Sequence, residues 1–210
     1  MDYAGLQSAI ADFLNRDDLT AAAPTFITLA EAQITRRLVK DGPIRQMLGV
    51  WAPTISAELT NLPADFMGMK AIYLASLTCT YELNFVEPEK IAEFKIKFPS
   101  QSGDPQFYSI VGNQIQFWPW AGTGSYAASI NYWQAIPALS DSNTTNWLLD
   151  LYPDAYLYTA LIQSAPYLRD DSRLDVWGTL STTILSDICE TDKVARQAPH
   201  LGIPLLTSTP

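Results

Sequence analysis

LYPDAYLYTALIQSAPYLRDDSRLDVW, residues 151–177, decides how the rest of the chain is read. Its apolar residues recur at helical spacing. Tyr156, Leu157, Ala160, Leu161 and Leu168 form a stripe expected to pack on other helices. Pro153 and Asp154 open this helix. Pro166 lacks a backbone donor and crowds the preceding turn, which predicts a bend or break near 162–166. Ser172 is the expected cap of a last helix with Leu174, Trp177, Leu180, Ile184 and Ile188 on one side. Tyr152 and Tyr158 do not share the first stripe fully. In a monomer they are surface tyrosines with half-covered rings; in an assembly they face a neighbouring copy. Arg169, Asp170, Asp171 and Arg173 place both signs of charge at the junction. They read either as caps and exposed pairs worth roughly 0–1 kcal/mol each, or as an ion-pair belt that fixes register between subunits.

Upstream, the first forty residues read as two helices. Leu6, Ile10, Phe13 and Leu14 recur in the first. NRDDLTAAAP breaks the pattern, and Pro24 suits the first turn of a second helix over about 24–39, with Ile27, Ala30, Ile34 and Leu38 on one stripe. Asp41-Gly42-Pro43 stops it. From 44 to about 136 the texture changes to short aromatic and β-branched runs separated by turn signals at Asn61-Leu62-Pro63, Gly112-Asn113 and Gly122-Thr123-Gly124. Val111-Gly112-Asn113-Gln114 reads as a hairpin turn, and Gly122-Thr123-Gly124 as another. One short helix, VEPEKIAEFKIKF, interrupts the strands. Beyond 195 the sequence RQAPHLGIPLLTSTP is proline-punctuated and without periodicity. It reads as an extended arm whose Leu201, Ile203, Leu205 and Leu206 could add to a partner's groove or sheet edge.

The expected fold class is α+β. A helical bundle formed by the N- and C-terminal helices (1–43 and 140–195) carries an inserted antiparallel β-rich subdomain (44–139) and an extended C-terminal tail (196–210).

The 210 residues are 48% hydrophobic and 17% charged, which suits a core of ordinary size. Net charge is −9, from 13 basic and 22 acidic residues, and the only basic pair is Arg36-Arg37. Gripping phosphates takes clustered Lys and Arg, so the composition speaks against sequence-specific DNA binding. Cys79 and Cys189 are far apart and suggest no bridge, which fits synthesis in a reducing cytosol. MDYAGLQSAI is acidic where a signal peptide would be basic, and no apolar run approaches the roughly 18–20 residues of a spanning helix, so no membrane is expected.

No catalytic, cofactor-binding or metal-binding constellation is legible. The single histidine, His200, lies in the arm, which excludes HExxH zinc chemistry and leaves no base for a Ser-His-Asp triad in the folded part. There is no GxSxG, Walker A or GxGxxG motif. Glu82, Glu87, Glu89 and Glu93 are close in sequence, as a glycosidase would need. Helix-start charge and a solvated face explain them more simply. Trp118, Trp120 and Trp133 beside strands suit either sugar stacking or an aromatic core.

Residues 136–177, IPALSDSNTTNWLLDLYPDAYLYTALIQSAPYLRDDSRLDVW, resemble a signature of head-to-tail adaptor (connector) proteins of tailed bacteriophages. The shared pattern is a Pro-Ala-Leu-Ser loop, then Asn-Trp-Leu-Leu, then a Pro-Asp-x-Tyr-Leu-Tyr helix, a Pro-Tyr-Leu-x-Asp-Asp turn and a closing amphipathic helix. YAGLQSAIADFLNRDDL at 3–19, PTFITLAEAQITRRL at 24–38 and LPADF at 62–66 extend the resemblance over roughly 2–190. It implies a structural, non-enzymatic virion protein without cofactors. It further implies a homo-oligomeric ring, usually of twelve copies, at the head–tail interface under the portal protein. A tail or nozzle protein would lie below, and DNA would pass through the lumen without sequence-specific binding. Tyr152, Tyr158, Arg169, Asp170, Asp171 and Arg173 are then candidate subunit contacts, and the arm a candidate portal contact. The alternative is a carbohydrate-binding β-domain protein of a particle surface; a carboxylate-dependent hydrolase is third.

Overall fold

The structure, a computed structural model, describes residues 1–75, 79–120, 122, 125–167 and 172–196. It mixes helices and sheets in an α+β arrangement, divided into two compact units. One comprises Met1–Gln46 with the described residues from Ile136 onward, the other Met47–Ala135.

The first unit is helical. Helix α1 (Tyr3–Leu14) starts at Asp2, whose carboxylate accepts the Gly5 N–H at 2.8 Å, and ends at Asn15 in the left-handed conformation, φ 51°. A short 3-10 helix (Asp17–Ala22) leads to α2 (Ala23–Asp41), with Pro24 in its first turn and Gly42 beyond its end at φ 116°. Ile27, Ala30, Ile34 and Leu38 are all buried, as their spacing predicts. In α1, Tyr3, Leu6, Ile10 and Leu14 are buried, while Phe13, at the edge of that stripe in the last turn, is 45% exposed.

Helix α4 (Trp147–Leu151) is followed directly by α5 (Pro153–Gln163), which lies against α1, α2 and α6 (Arg173–Arg196). The break predicted at Pro166 is present: α5 stops at Gln163 and Ala165–Tyr167 form a 3-10 turn. In α6 the buried face differs from expectation. It is Trp177, Ser181, Leu185, Ile188, Cys189 and Asp192, while Leu180 is exposed and Leu174 and Ile184 are half-buried. Trp177, Leu185, Ile188 and Cys189 define one stripe, and Ser181 falls on it, buried with its hydroxyl 2.8 Å from that of Thr159 on α5.

The second unit stacks two sheets. Strands β1 (Leu48–Trp51), β2 (Thr54–Ile55), β4 (Phe66–Ala75), β5 (Thr80–Glu82) and β9 (Tyr126–Gln134) form one, in the order β1-β9-β4-β5 with β2 also on β9. Strands β3 (Leu59–Asn61), β8 (Gln114–Trp118), β7 (Phe107–Val111) and β6 (Asn84–Phe85) form the other. Pairing is antiparallel in both except between β6 and β7. Ile72, Leu74, Ile130 and Tyr126 from one sheet meet Ile115, Phe117 and Tyr108 from the other in the core. Helix α3 (Pro88–Lys97) carries Glu89 in its first turn and Lys95 and Lys97 in its last, matching the helix dipole.

The hairpin at Val111–Gln114 is formed as expected, with Gly112 at φ 60°. The second expected hairpin, at Gly122-Thr123-Gly124, is not one. Strand β8 pairs with β3 and β7, and strand β9 with β1, β2 and β4, so the two strands that flank it do not pair with each other. Thr123 and Gly124 themselves lie outside the described residues.

Candidate functional site

The loop from Ile136 to Asn146 and the helices after it carry the most distinctive sequence, and their geometry shows what that sequence does. Ser140 and Asn143 bridge through their backbones, the Asn143 amide donates to the Ala138 carbonyl at 2.7 Å, and the Tyr3 N–H reaches the Thr144 carbonyl at 2.8 Å. Asn146 has three partners. Its side-chain oxygen accepts the Leu149 N–H at 2.9 Å and so caps α4, while its amide lies 2.7 Å from the Pro137 carbonyl and 2.6 Å from the Tyr156 hydroxyl. That hydroxyl donates in turn to Glu31 at 3.2 Å, and Glu31 also accepts the Leu139 N–H at 2.8 Å. One chain of hydrogen bonds thus ties the loop, α2, α4 and α5.

Burial pushes the Glu31 carboxyl above its ordinary range, against the pull of Leu139 and Tyr156, and burial likewise drives the Tyr156 phenol well up. The two groups are hydrogen-bonded to each other, and Glu31 also holds the loop, so the pair ties α2, α5 and the loop together. Sequence reasoning missed Glu31, a lone acid among alanines on a helix face; Asn146 directly before an apolar helix start was a findable signal.

Other candidates from the sequence resolve as follows. Glu93 accepts Lys90 at 2.7 Å and pairs with Lys97, and these lysines hold its carboxyl down at about 2, too low for a general acid near neutrality. Trp118 is buried and stacks on Phe94 at 4.7 Å. Trp120 packs edge-on against Tyr126 at 5.6 Å, and Trp133 is half-buried with the Lys70 ammonium 5.2 Å from its ring. Trp118 and Trp120 therefore serve the packing of the β unit. Among the described residues no cluster of His, Cys, Asp and Glu could hold a metal, and no helix is long and apolar enough to cross a membrane.

Residues 1–201 match the sequence profile of the SU10 adaptor protein family. The chain belongs to that family of phage adaptor proteins. No curated protein matches the adaptor in sequence. Membership supports a structural adaptor role in the virion.

In the adaptor, Tyr152 follows α4 and Tyr158 lies on α5, both half-buried. Arg173 opens α6, donates to the Phe13 carbonyl at 3.0 Å and sits 5.1 Å from the Trp177 ring, so it ties α6 to the end of α1 within one chain. Arg169, Asp170, Asp171 and the arm residues Leu201, Ile203, Leu205 and Leu206 lie outside the described residues.

Proposed function

We propose that this adaptor assembles as a ring of twelve copies under the portal of a tailed phage, lengthens the DNA exit channel and presents the attachment surface for a tail or nozzle protein. The observation that carries this reading is the family match, which spans residues 1–201. The net charge of −9 is compatible with a channel wall past which a polyanion slides without sticking, and equally with ordinary solubility. The helical unit also keeps half-buried tyrosines on its outer face, the residue type that subunit contacts favour. Residues 196–210 serve as the portal-binding arm through Leu201, Ile203, Leu205 and Leu206, ordering on a partner's surface. The role is structural and uses no cofactor.

Mass photometry of the adaptor, alone and mixed with the portal of the same particle, tests the reading. A ring of defined stoichiometry that forms with the portal is expected, and deletion of 196–210 weakens docking. An adaptor that ignores the portal refutes the reading.

A further inference from the structure

Resting on the ring reading, we propose which surfaces of neighbouring copies meet: a cationic groove between α2 and α6 of one copy receives the acidic, tyrosine-bearing stripe of α4 and α5 of the next. The groove is lined on α2 by Arg36, Arg37 and Lys40 and on α6 by Thr182 and Leu185. Arg37 is neutralised at 2.5 Å by Asp41. Arg36 and Lys40, four residues apart and both exposed, have no such partner among the described residues.

That sets them apart. Arg16, Arg45, Lys90, Lys95, Lys97, Lys193 and Arg196 each pair with a carboxylate. Lys70 lies over Trp133, and Arg173 has a carbonyl and a ring. In a chain with 22 acidic and 13 basic residues, every described lysine and arginine but two is matched internally, and those two stand side by side where like charges repel. A partner's acids would relieve that repulsion.

The complementary surface is on the same unit, facing another way. Tyr156 bonds Glu31 and Gln163 bonds Gln33, so α2 lies on that side of α5. Tyr158 is two positions from Tyr156, roughly 160° round the helix. Asp154, Tyr158 and Ile162 form a stripe at four-residue spacing, with Asp154 exposed and the other two half-buried. Asp150 and Leu151, at the end of α4, are exposed beside it. Neither Asp150 nor Asp154 pairs with a cation among the described residues. A cationic groove on one side and an acidic stripe on another make a head-to-tail contact, the kind that repeats and closes into a ring. Tyr158 also offers its ring to the Arg36 guanidinium. The occupant is a second copy rather than DNA, because two unmatched cations on a chain of net charge −9 are a poor phosphate grip.

The test compares wild type, R36E/K40E, D150K/D154K and all four substitutions together, each with the portal, by mass photometry at low and physiological salt. Each double variant, folded by circular dichroism, is expected to need more than tenfold higher concentration for ring formation, and the fourfold variant to recover. R36E/K40E rings that form like wild type overturn the proposal while the ring reading stands. A wild type that forms no ring overturns both. Carbodiimide cross-linking of rings built from mixed nitrogen-14 and nitrogen-15 adaptor is a second readout: Lys40 joined to Asp150 or Asp154 in mixed-label peptides is expected, and its absence from assembled rings refutes the contact. Binding of a fluorescent duplex that only R36E/K40E loses would assign the groove to DNA and overturn it too.

Discussion

Replacing Tyr156 with phenylalanine removes one hydroxyl from the centre of the helical unit and leaves its ring, which is fully buried, in place. The hydroxyl is 2.6 Å from the Asn146 amide and 3.2 Å from Glu31. A buried bond to a charged acceptor contributes about 1.5–3 kcal/mol and a neutral one about 1 kcal/mol. The full sum is not lost, because Asn146 keeps the Pro137 carbonyl and Glu31 keeps the Leu139 N–H. Tyr156→Phe should therefore cost about 2 kcal/mol. With a urea slope of about 2 kcal/mol/M, the midpoint of the helical circular-dichroism transition falls by roughly 1 M at unchanged slope. Glu31→Gln and the double variant complete a cycle in which the two changes couple by at least about 0.5 kcal/mol. A midpoint that barely moves, or two effects that simply add, would show that the loop is held by something other than this network.

Glu31 also gives a pH signature. Its folded-state proton affinity is raised by burial, so its contribution is fully present below the ordinary glutamate range and is lost as pH rises through the folded value. Stability of Glu31→Gln relative to wild type should thus increase as pH rises above about 4, which denaturation midpoints over a pH series would check. Ser181→Ala strands the buried Thr159 hydroxyl and should cost about 1–2 kcal/mol, while Ser181→Ala with Thr159→Val should cost less than the single change, by the same denaturation assay. Gly112→Ala should lose about 1–2 kcal/mol through its positive φ alone, since nothing lies within 4 Å of the added carbon; Gly112→Asn should lose less, and equal losses would point to a steric cause instead. Asp192 is 5% exposed, accepts the Arg45 N–H at 3.2 Å and pairs with Arg196 at 2.8 Å, so Asp192→Asn should cost about 1.5–3 kcal/mol in a thermal or urea melt.

Much of this adaptor was legible in its sequence. The spacing of Ile27, Ala30, Ile34 and Leu38 fixes the buried side of α2, since the 3.6-residue period needs no neighbour to be read. Pro166 stops a helix whatever surrounds it, because it lacks a donor and crowds the turn before it. Gly112 makes its hairpin by its own freedom at φ 60°. The tertiary structure decided the rest. Leu180 is as apolar as Leu185, yet α6 buries the stripe of Trp177, Ser181, Leu185 and Ile188, where Ser181 meets Thr159, a residue 22 positions away. Strands β8 and β9 follow one another in the chain but pair in different sheets, because Phe117 and Tyr126 bury from opposite sides of one core. Glu31 and Tyr156, 125 residues apart, acquire their bond only when α2 and α5 meet. Local rules act within a few residues along the backbone, whereas those three outcomes depend on which surfaces folding brings together.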